Sequence, residues 1–338
     1  MLKTASSSQT KQAISIPGGT IELAAAKTFT YPTRLAHAWE PRILEIAHRA
    51  EQLQRREIEF CARPDSTRSL NIHVRNPYKR LYKEFATPIQ CRDSYIFDTR
   101  YEVDGNIAHI LGCIAIKALL ARSKFPNLAL ILRENPHRMA IEAYRLLGFP
   151  LICTNRHVEG NLVVMSDHND EPDFEPFYRT EFGQFEFDGY KPKTPERVFL
   201  ARRGTRSIIN EPEIEQVLSS YGFEKLYFED FSMAEQWSIA RNAKVVVGIH
   251  GAALKNFVFN AQGVKLIELF HPGYVVDIYR RDNAVSGGRW CGVTGKLPDD
   301  IICKLETEGD ARRFAMSRLM IDPTSLQMAL DELEIDRL

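Results

Sequence analysis

The segment Lys244-Val-Val-Val-Gly-Ile-His-Gly-Ala-Ala-Leu-Lys-Asn256 constrains the fold of this chain more than any other. A run of β-branched residues with no polar alternation reads as a strand buried on both faces, which is how strands of a parallel sheet look. It breaks at His250 and Gly251, and small residues then open a helix. Parallel neighbours require crossover helices, so strands and helices must alternate around it. They do. Val198–Ala201 reads as a strand, 211–221 as a helix, 224–228 as a strand and 264–269 as another strand. Ser232 and Glu235 have capping-box spacing and start a helix from Met233 to about Asn242. The second half of the chain is therefore expected to be doubly wound α/β.

An earlier stretch repeats the rhythm. The sequence predicts a helix over 107–122, opened by Asn106, and strands at 128–132 and 151–154. A helix over 136–147 ends at Gly148. Apolar residues Ile43, Ile46, Ala47, Ala50 and Leu53 recur at helical spacing after Pro41, which predicts a helix from Pro41 to Arg56. Strands are expected near Ile72–Val74 and Tyr95–Phe97. A chain of 338 residues suggests two domains. The divisions expected are a disordered arm over 1–15, an N-terminal α/β domain over 16–190 and a C-terminal α/β domain over 191–322. A last helix over 323–338 is expected to pack back on the N-terminal domain. Pro172, Pro176, Pro192 and Pro195, among acidic and aromatic residues, mark the linker between domains.

Charge excludes some functions. There are 44 Lys plus Arg against 44 Asp plus Glu, so no net positive field advertises nucleic acid, and any anion site must be local. The six cysteines show no zinc-like or redox-pair spacing; free thiols in a reducing compartment fit them best, with disulfides left open. Asp167 and Asp170 flank His168 in the broken linker, and a solvated loop is the favoured reading there. No metal site is expected. With no apolar leader or membrane-length run in sight, the chain is expected in the cytoplasm, with association at the inner membrane face left open.

Two loops at one edge of the expected second sheet carry candidate chemistry. At Gly251, Ala252 and Ala253 a helix N-terminus offers free N–H groups to a pyrophosphate, with His250 beside it. The alternative is a plain turn in which glycine serves geometry and His250 caps the helix. Arg202, Arg203 and Arg206 follow a strand, and their planar forks suit phosphate oxygens. A solvated basic loop is the alternative reading.

In order and spacing, these pieces resemble glycosyltransferase family 61. The resemblance runs through Arg202, Arg203, Arg206, Asn210-Glu211, Phe231-Ser232, Glu235-Gln236, Val246 to Leu254, Asn256, Gly263 and Ile267-Glu-Leu269. Asn106-Ile-Ala-His109 is similar to that family's N-terminal signature. The resemblance implies a GT-B fold, two Rossmann-like domains with parallel sheets facing a cleft, and an inverting transfer without an obligatory metal or cofactor. The partners it implies are a nucleotide-sugar donor, most simply UDP-linked, and a saccharide or lipid-linked saccharide acceptor. A bacterial surface-polysaccharide pathway is the expected setting. Arg202, Arg203, Arg206, His250, Gly251, Ala252 and Ala253 would hold the donor diphosphate. Asn256, Glu268 and Gln236 would meet its ribose or sugar. Inversion needs a general base for the acceptor hydroxyl; His109 is the first choice and Asp104 the fallback. The alternatives are a two-domain sugar-nucleotide epimerase and an inactive, scaffold-like relative.

Overall fold

A computed structural model of the chain describes residues 12–16, 20–30, 43–54, 58–66, 87–165, 174–308 and 314–338. The chain forms two compact units, residues 1–19 with 54–174, and residues 20–53 with 175–338. The expected strand near Ile72–Val74, the Asp167-His168-Asp170 cluster and residues 1–11 of the expected arm lie outside the described residues.

The first unit is built on a six-stranded mixed sheet. Its order in space is Gln12–Ile16, Ile58–Ser66, Val158–Met165, Ile89–Asp98, Ala129–Leu132, Leu151–Cys153. The last four run parallel and the first two pair antiparallel. The 12–16 strand corrects the expectation of an unstructured arm through residue 15. The predicted helix over 107–122 is present as three consecutive segments, Ile107–His109, a π-helical turn Ile110–Ala115, and Ile116–Arg122. Asn106 caps it by accepting the Ala108 N–H at 2.9 Å. The next helix, Arg138–Leu146, ends before Gly148, whose φ of 75° is the left-handed value that favours glycine at a helix end.

The second unit carries a seven-stranded sheet in the order Glu224–Leu226, Arg197–Leu200, Val245–Ile249, Lys265–Phe270, Arg289–Thr294, Ala26–Thr30, Leu44–His48. All neighbours are parallel except the last pair. The Val245–Ile249 strand is buried throughout, and its residues divide by alternation between two cores. Val245, Val247 and Ile249 join Phe199, Ile267, Leu269 and Val293 on one face. Val246 joins Val198, Leu266, Phe270 and Trp290 on the other. Helices Glu211–Ser219 and Pro323–Glu332 cover the first face, and Met233–Asn242 with the 3-10 helix Ala252–Phe259 covers the second. The Ser232–Glu235 capping box is present. This unit is the doubly wound half expected from the alternation of strands and helices.

Three expectations are corrected here. Residues 44–54 form two strands, Leu44–His48 and Glu51–Gln54, rather than a helix. Leu44–His48 pairs with Ala26–Thr30, and the Thr28 hydroxyl meets His48 Nε2 at 2.8 Å. Pairing with a distant strand overrides the local spacing. Because Ala26–Thr30 lies beside Arg289–Thr294, residues 20–53 belong to the second unit and not to an N-terminal domain. Finally, Pro323–Glu332 buries Leu326, Ala329 and Leu330 in the second unit's core instead of packing on the first. The supposed linker also belongs there in part. Tyr178, Phe182 and Phe187 are buried, and Arg241 donates to the Phe182 and Phe185 carbonyls.

Candidate anion site at the carboxyl ends of the second sheet

Parallel strands that end side by side leave a polar rim at their carboxyl ends, and crossover loops start there. In the second unit that rim is built from three strand exits. The first, after Leu200, carries Arg202 and Arg206. The second, after Ile249, carries His250 and Gly251. The third, after Phe270, carries His271 and Tyr274.

Arg202 Nη1 donates to the His250 carbonyl at 3.4 Å and its Nη2 to the Thr205 hydroxyl at 3.0 Å. Arg206 donates from Nη1 to the same carbonyl at 3.1 Å. Arg206 has φ 59°, an uncommon left-handed conformation for a residue with a side chain. Its Nε–H is buried and finds no acceptor among the described residues. Neither guanidinium forms an ion pair among the described residues, and burial works against the charge of both. Gly251 has φ 168°, extended backbone open to any residue, so conformation does not explain the glycine. An added Cβ would meet the Arg202 Nη1 tip, so a larger residue here would make that guanidinium shift. The chain has brought a guanidinium against its own backbone beside the start of the Ala252–Phe259 helix. The two half-buried cations share one carbonyl and form no ion pair among the described residues, Glu229 acting on Arg202 only from a distance, an arrangement that could attract an anion.

His250 is buried at 5% exposure, with its Nδ1 2.5 Å from Glu268 Oε1. The other Glu268 oxygen accepts the Trp290 N–H at 2.8 Å. Burial pushes the Glu268 carboxyl up, and the bonds from His250 and Trp290 oppose that shift. The imidazole stacks on Phe270 at 5.3 Å and lies 5.2 Å from Tyr274 and 5.3 Å from Tyr279. At the third strand exit, His271 accepts the Gly273 N–H on Nδ1 at 3.0 Å and meets the Ser317 hydroxyl through Nε2 at 3.0 Å. Burial, with Arg206 nearby, depresses its pKa to about 4.

Not every expected site residue joins this cluster. Arg203 turns outward: it forms two bonds to Asp230, at 2.6 and 2.7 Å, and lies over the Tyr227 ring at 3.9 Å. It is not a free phosphate ligand. Glu268 is fully buried with both oxygens engaged, so no ribose hydroxyl can reach it. Asn256 is fully buried; its Oδ1 accepts the Trp237 N–H at 3.1 Å and its Nδ2 donates to the Ala253 carbonyl at 2.9 Å. Gln236 donates to the Phe228 and Phe231 carbonyls at 2.8 and 3.0 Å. These bonds tie Asn256 and Gln236 to the neighbouring helices. Ala252 and Ala253 stand at the helix start, as expected.

The two candidate bases lie in the first unit. His109 is exposed, and its Nδ1 makes a long contact of 3.8 Å to Cys113 Sγ. Asp104 is buried and held by Arg133, which donates from Nε at 2.7 Å and also from Nη2, and by the His137 N–H at 2.9 Å. That carboxylate is held in place by these three hydrogen bonds. His271, Tyr274 and Trp290 were not picked out from the sequence. His271 could have been, since His-Pro-Gly directly follows a buried strand at the same sheet edge; Trp290 comes from a strand that gave no local signal. Among the described residues no group of three or more His, Cys, Asp or Glu could hold a metal ion, and no helix is long and apolar enough to cross a membrane. The six cysteines are free thiols, with Cys291 buried and Cys153 and Cys303 exposed.

The family model described as Glycosyltransferase 61 matches residues 125–267. That stretch takes in Arg202, Arg206, His250 and Gly251 and stops one residue short of Glu268. A xylan glycosyltransferase of Arabidopsis thaliana, MUCI21, is 30% identical over 86 residues, which are 25% of this chain and 17% of that protein. The chain thus spans under a fifth of that relative's length. Over the matched stretch, 125–267, the chain is similar to the glycosyltransferase 61 family.

Proposed function

We propose that this protein is a glycosyltransferase that takes a sugar from a nucleotide diphosphate, and that Arg202, Arg206 and the His250–Gly251 turn hold the donor's phosphates. The observation that carries this reading is the pair of half-buried guanidiniums with no carboxylate partner among the described residues. A metal-free transfer needs fixed positive charge where the nucleotide leaves, and preorganised donors in a partly desolvated site supply it. This reading treats the two α/β units as the acceptor and donor halves of a GT-B enzyme. The donor is taken as a UDP-sugar, the transfer as inverting, and the acceptor as a glycan or lipid-linked saccharide in bacterial surface-polysaccharide synthesis. For the acceptor hydroxyl we favour His109 as general base, because its ring is exposed whereas Asp104 is held by Arg133.

The test is incubation with UDP-, GDP-, CMP- and dTDP-sugars, with and without saccharide acceptors, in buffer and in EDTA. Transfer that needs an acceptor and survives EDTA is expected. Turnover without acceptor would replace the reading with an epimerase or hydrolase. Activity lost in EDTA and restored by manganese would remove the metal-free mechanism. His109→Ala is expected to bind the donor normally and lose ~100-fold or more in turnover.

A further inference from the structure

Resting on that reading, we propose that Glu268 is a positioning residue, anchored by Trp290, that fixes His250 so that His250 Nε2 delivers a proton to the phosphate oxygen leaving the sugar. Glu268 is wholly buried, and its two oxygens are divided between one ring nitrogen of His250 and the indole N–H of Trp290. A buried carboxylate with a fixed donor on one oxygen has one geometry left for the other. The imidazole must therefore keep Nδ1 toward Glu268, whichever of the two holds the shared proton. Nε2 lies on the opposite side of the ring and makes no hydrogen bond among the described residues. The same residue's carbonyl receives both unpaired guanidiniums. One residue thus supplies the backbone anchor of the anion site and a ring nitrogen with no hydrogen-bond partner among the described residues.

The charged and titratable groups around the ring come from every neighbouring element. Arg202 and Arg206 come from the loop after the 197–200 strand, and Tyr274 from the loop after the 265–270 strand. Tyr279 comes from the 278–284 helix, with Asp282 and its partner Lys255 one layer behind. Glu268 is the carboxylate in direct contact with the ring. Two cations with no carboxylate of their own favour a ligand that brings negative charge, and such a ligand favours a protonated Nε2.

The step balances as follows. The bond between the anomeric carbon and the phosphate oxygen breaks, its electron pair stays on that oxygen, and the oxygen takes the Nε2 proton. The acceptor oxygen bonds the anomeric carbon and gives its proton to the base. His250 regains a proton from solvent after the nucleotide leaves, and Glu268 holds Nδ1 throughout. A histidine oriented by a buried carboxylate is a recurring device for placing a proton at the far ring nitrogen.

The test is calorimetry with whichever of UDP, GDP, dTDP and CMP stabilises the protein, in buffers of different ionisation enthalpy from pH 5.5 to 8, paired with the pH profile of turnover. Wild type is expected to take up a proton fraction on binding. Glu268→Gln, an isosteric change, should shrink that uptake, shift the basic limb of kcat to lower pH and slow turnover ~10-fold or more. Trp290→Phe should move both in the same direction by less, and it serves as the second reading should Glu268→Gln not fold. His250→Gln should abolish the uptake. A nucleotide that binds without proton uptake, or with the same uptake and pH profile in both variants, overturns this inference and leaves the proposed function standing. If no nucleotide binds wild type, both fall.

Discussion

The carboxyl ends of the parallel strands treat charge differently in the two units. In the first, Arg100 is buried at the strand exits and closed: it bonds both oxygens of Asp98, at 2.9 and 2.8 Å, and donates to the Arg156 carbonyl at 2.8 Å. Arg133 is likewise held by Asp104. In the second, Arg202 and Arg206 follow a strand exit with a shared carbonyl and no ion pair among the described residues. A closed pair serves the fold, because its charges are already satisfied. An open pair costs the fold some desolvation and leaves attraction for something else. Two rims of similar origin are thus told apart by whether their cations are paired.

The largest effect expected from this difference is on stability. Asp98→Ala strands a guanidinium with 0% of its side chain exposed, and leaving a buried charge unpaired costs about 3–5 kcal/mol. Arg206→Met removes a cation that has no such partner, and should change stability by less than about 1 kcal/mol, in either direction. Urea denaturation of both variants measures this. Equal losses would mean that the second rim is as closed as the first.

Ligand binding should run the other way. Arg202→Ala or Arg206→Ala should each weaken nucleotide diphosphate binding by about 1.5–3 kcal/mol, the scale of one charge-assisted contact. Arg203→Ala should leave binding nearly unchanged, since that side chain is exposed and occupied by Asp230. The three variants in one calorimetric series sharpen the contrast inside a single loop. A large loss at Arg203 with none at Arg206 would place the anion on the outer face of the loop.

How much of this could be read from residues alone follows from how local each signal was. The 245–249 strand, the 233–242 helix with its capping box and the Arg202, Arg206 and His250 candidates all lie in short windows whose pattern already determines them. The error over 41–56 had the opposite cause. Leu44 and Ile46 are 45% and 49% exposed on an edge strand, so their helical spacing reflected no buried face, and the partner strand begins eighteen residues earlier. Arg203 was grouped with its neighbours because a linear sequence cannot show that Asp230 and Tyr227 would take it. Glu268 was noticed for its place at a strand end, yet its role depends on Trp290, two strand ends away in sequence and adjacent only in the sheet.

The smallest effect tests the same contrast through a neighbour. His271 is fully buried and neutral, with Gly273 donating to its Nδ1 at 3.0 Å, and its pKa stands at about 4, held there by burial first and by Arg206 second. In the unfolded chain a histidine titrates near ~6.5. As pH falls through that value the unfolded state binds a proton that the folded state refuses, so unfolding becomes easier. This contribution is fully present above the unfolded pKa, declines on acidification and levels off once His271 itself protonates. The whole contribution is at most about 3 kcal/mol across that window, and the share that Arg206 supplies is the smaller part of it. Because Arg206 supplies part of the depression, removing its charge as Arg206→Met should raise the titration of His271 and flatten the slope. A nucleotide diphosphate bound between the two arginines should do the same without any mutation. Following the His271 ring protons by NMR, with and without nucleotide, measures both. A titration that stays where it is in both cases would mean that the anion does not bind beside Arg206, and that the open rim is open to water alone.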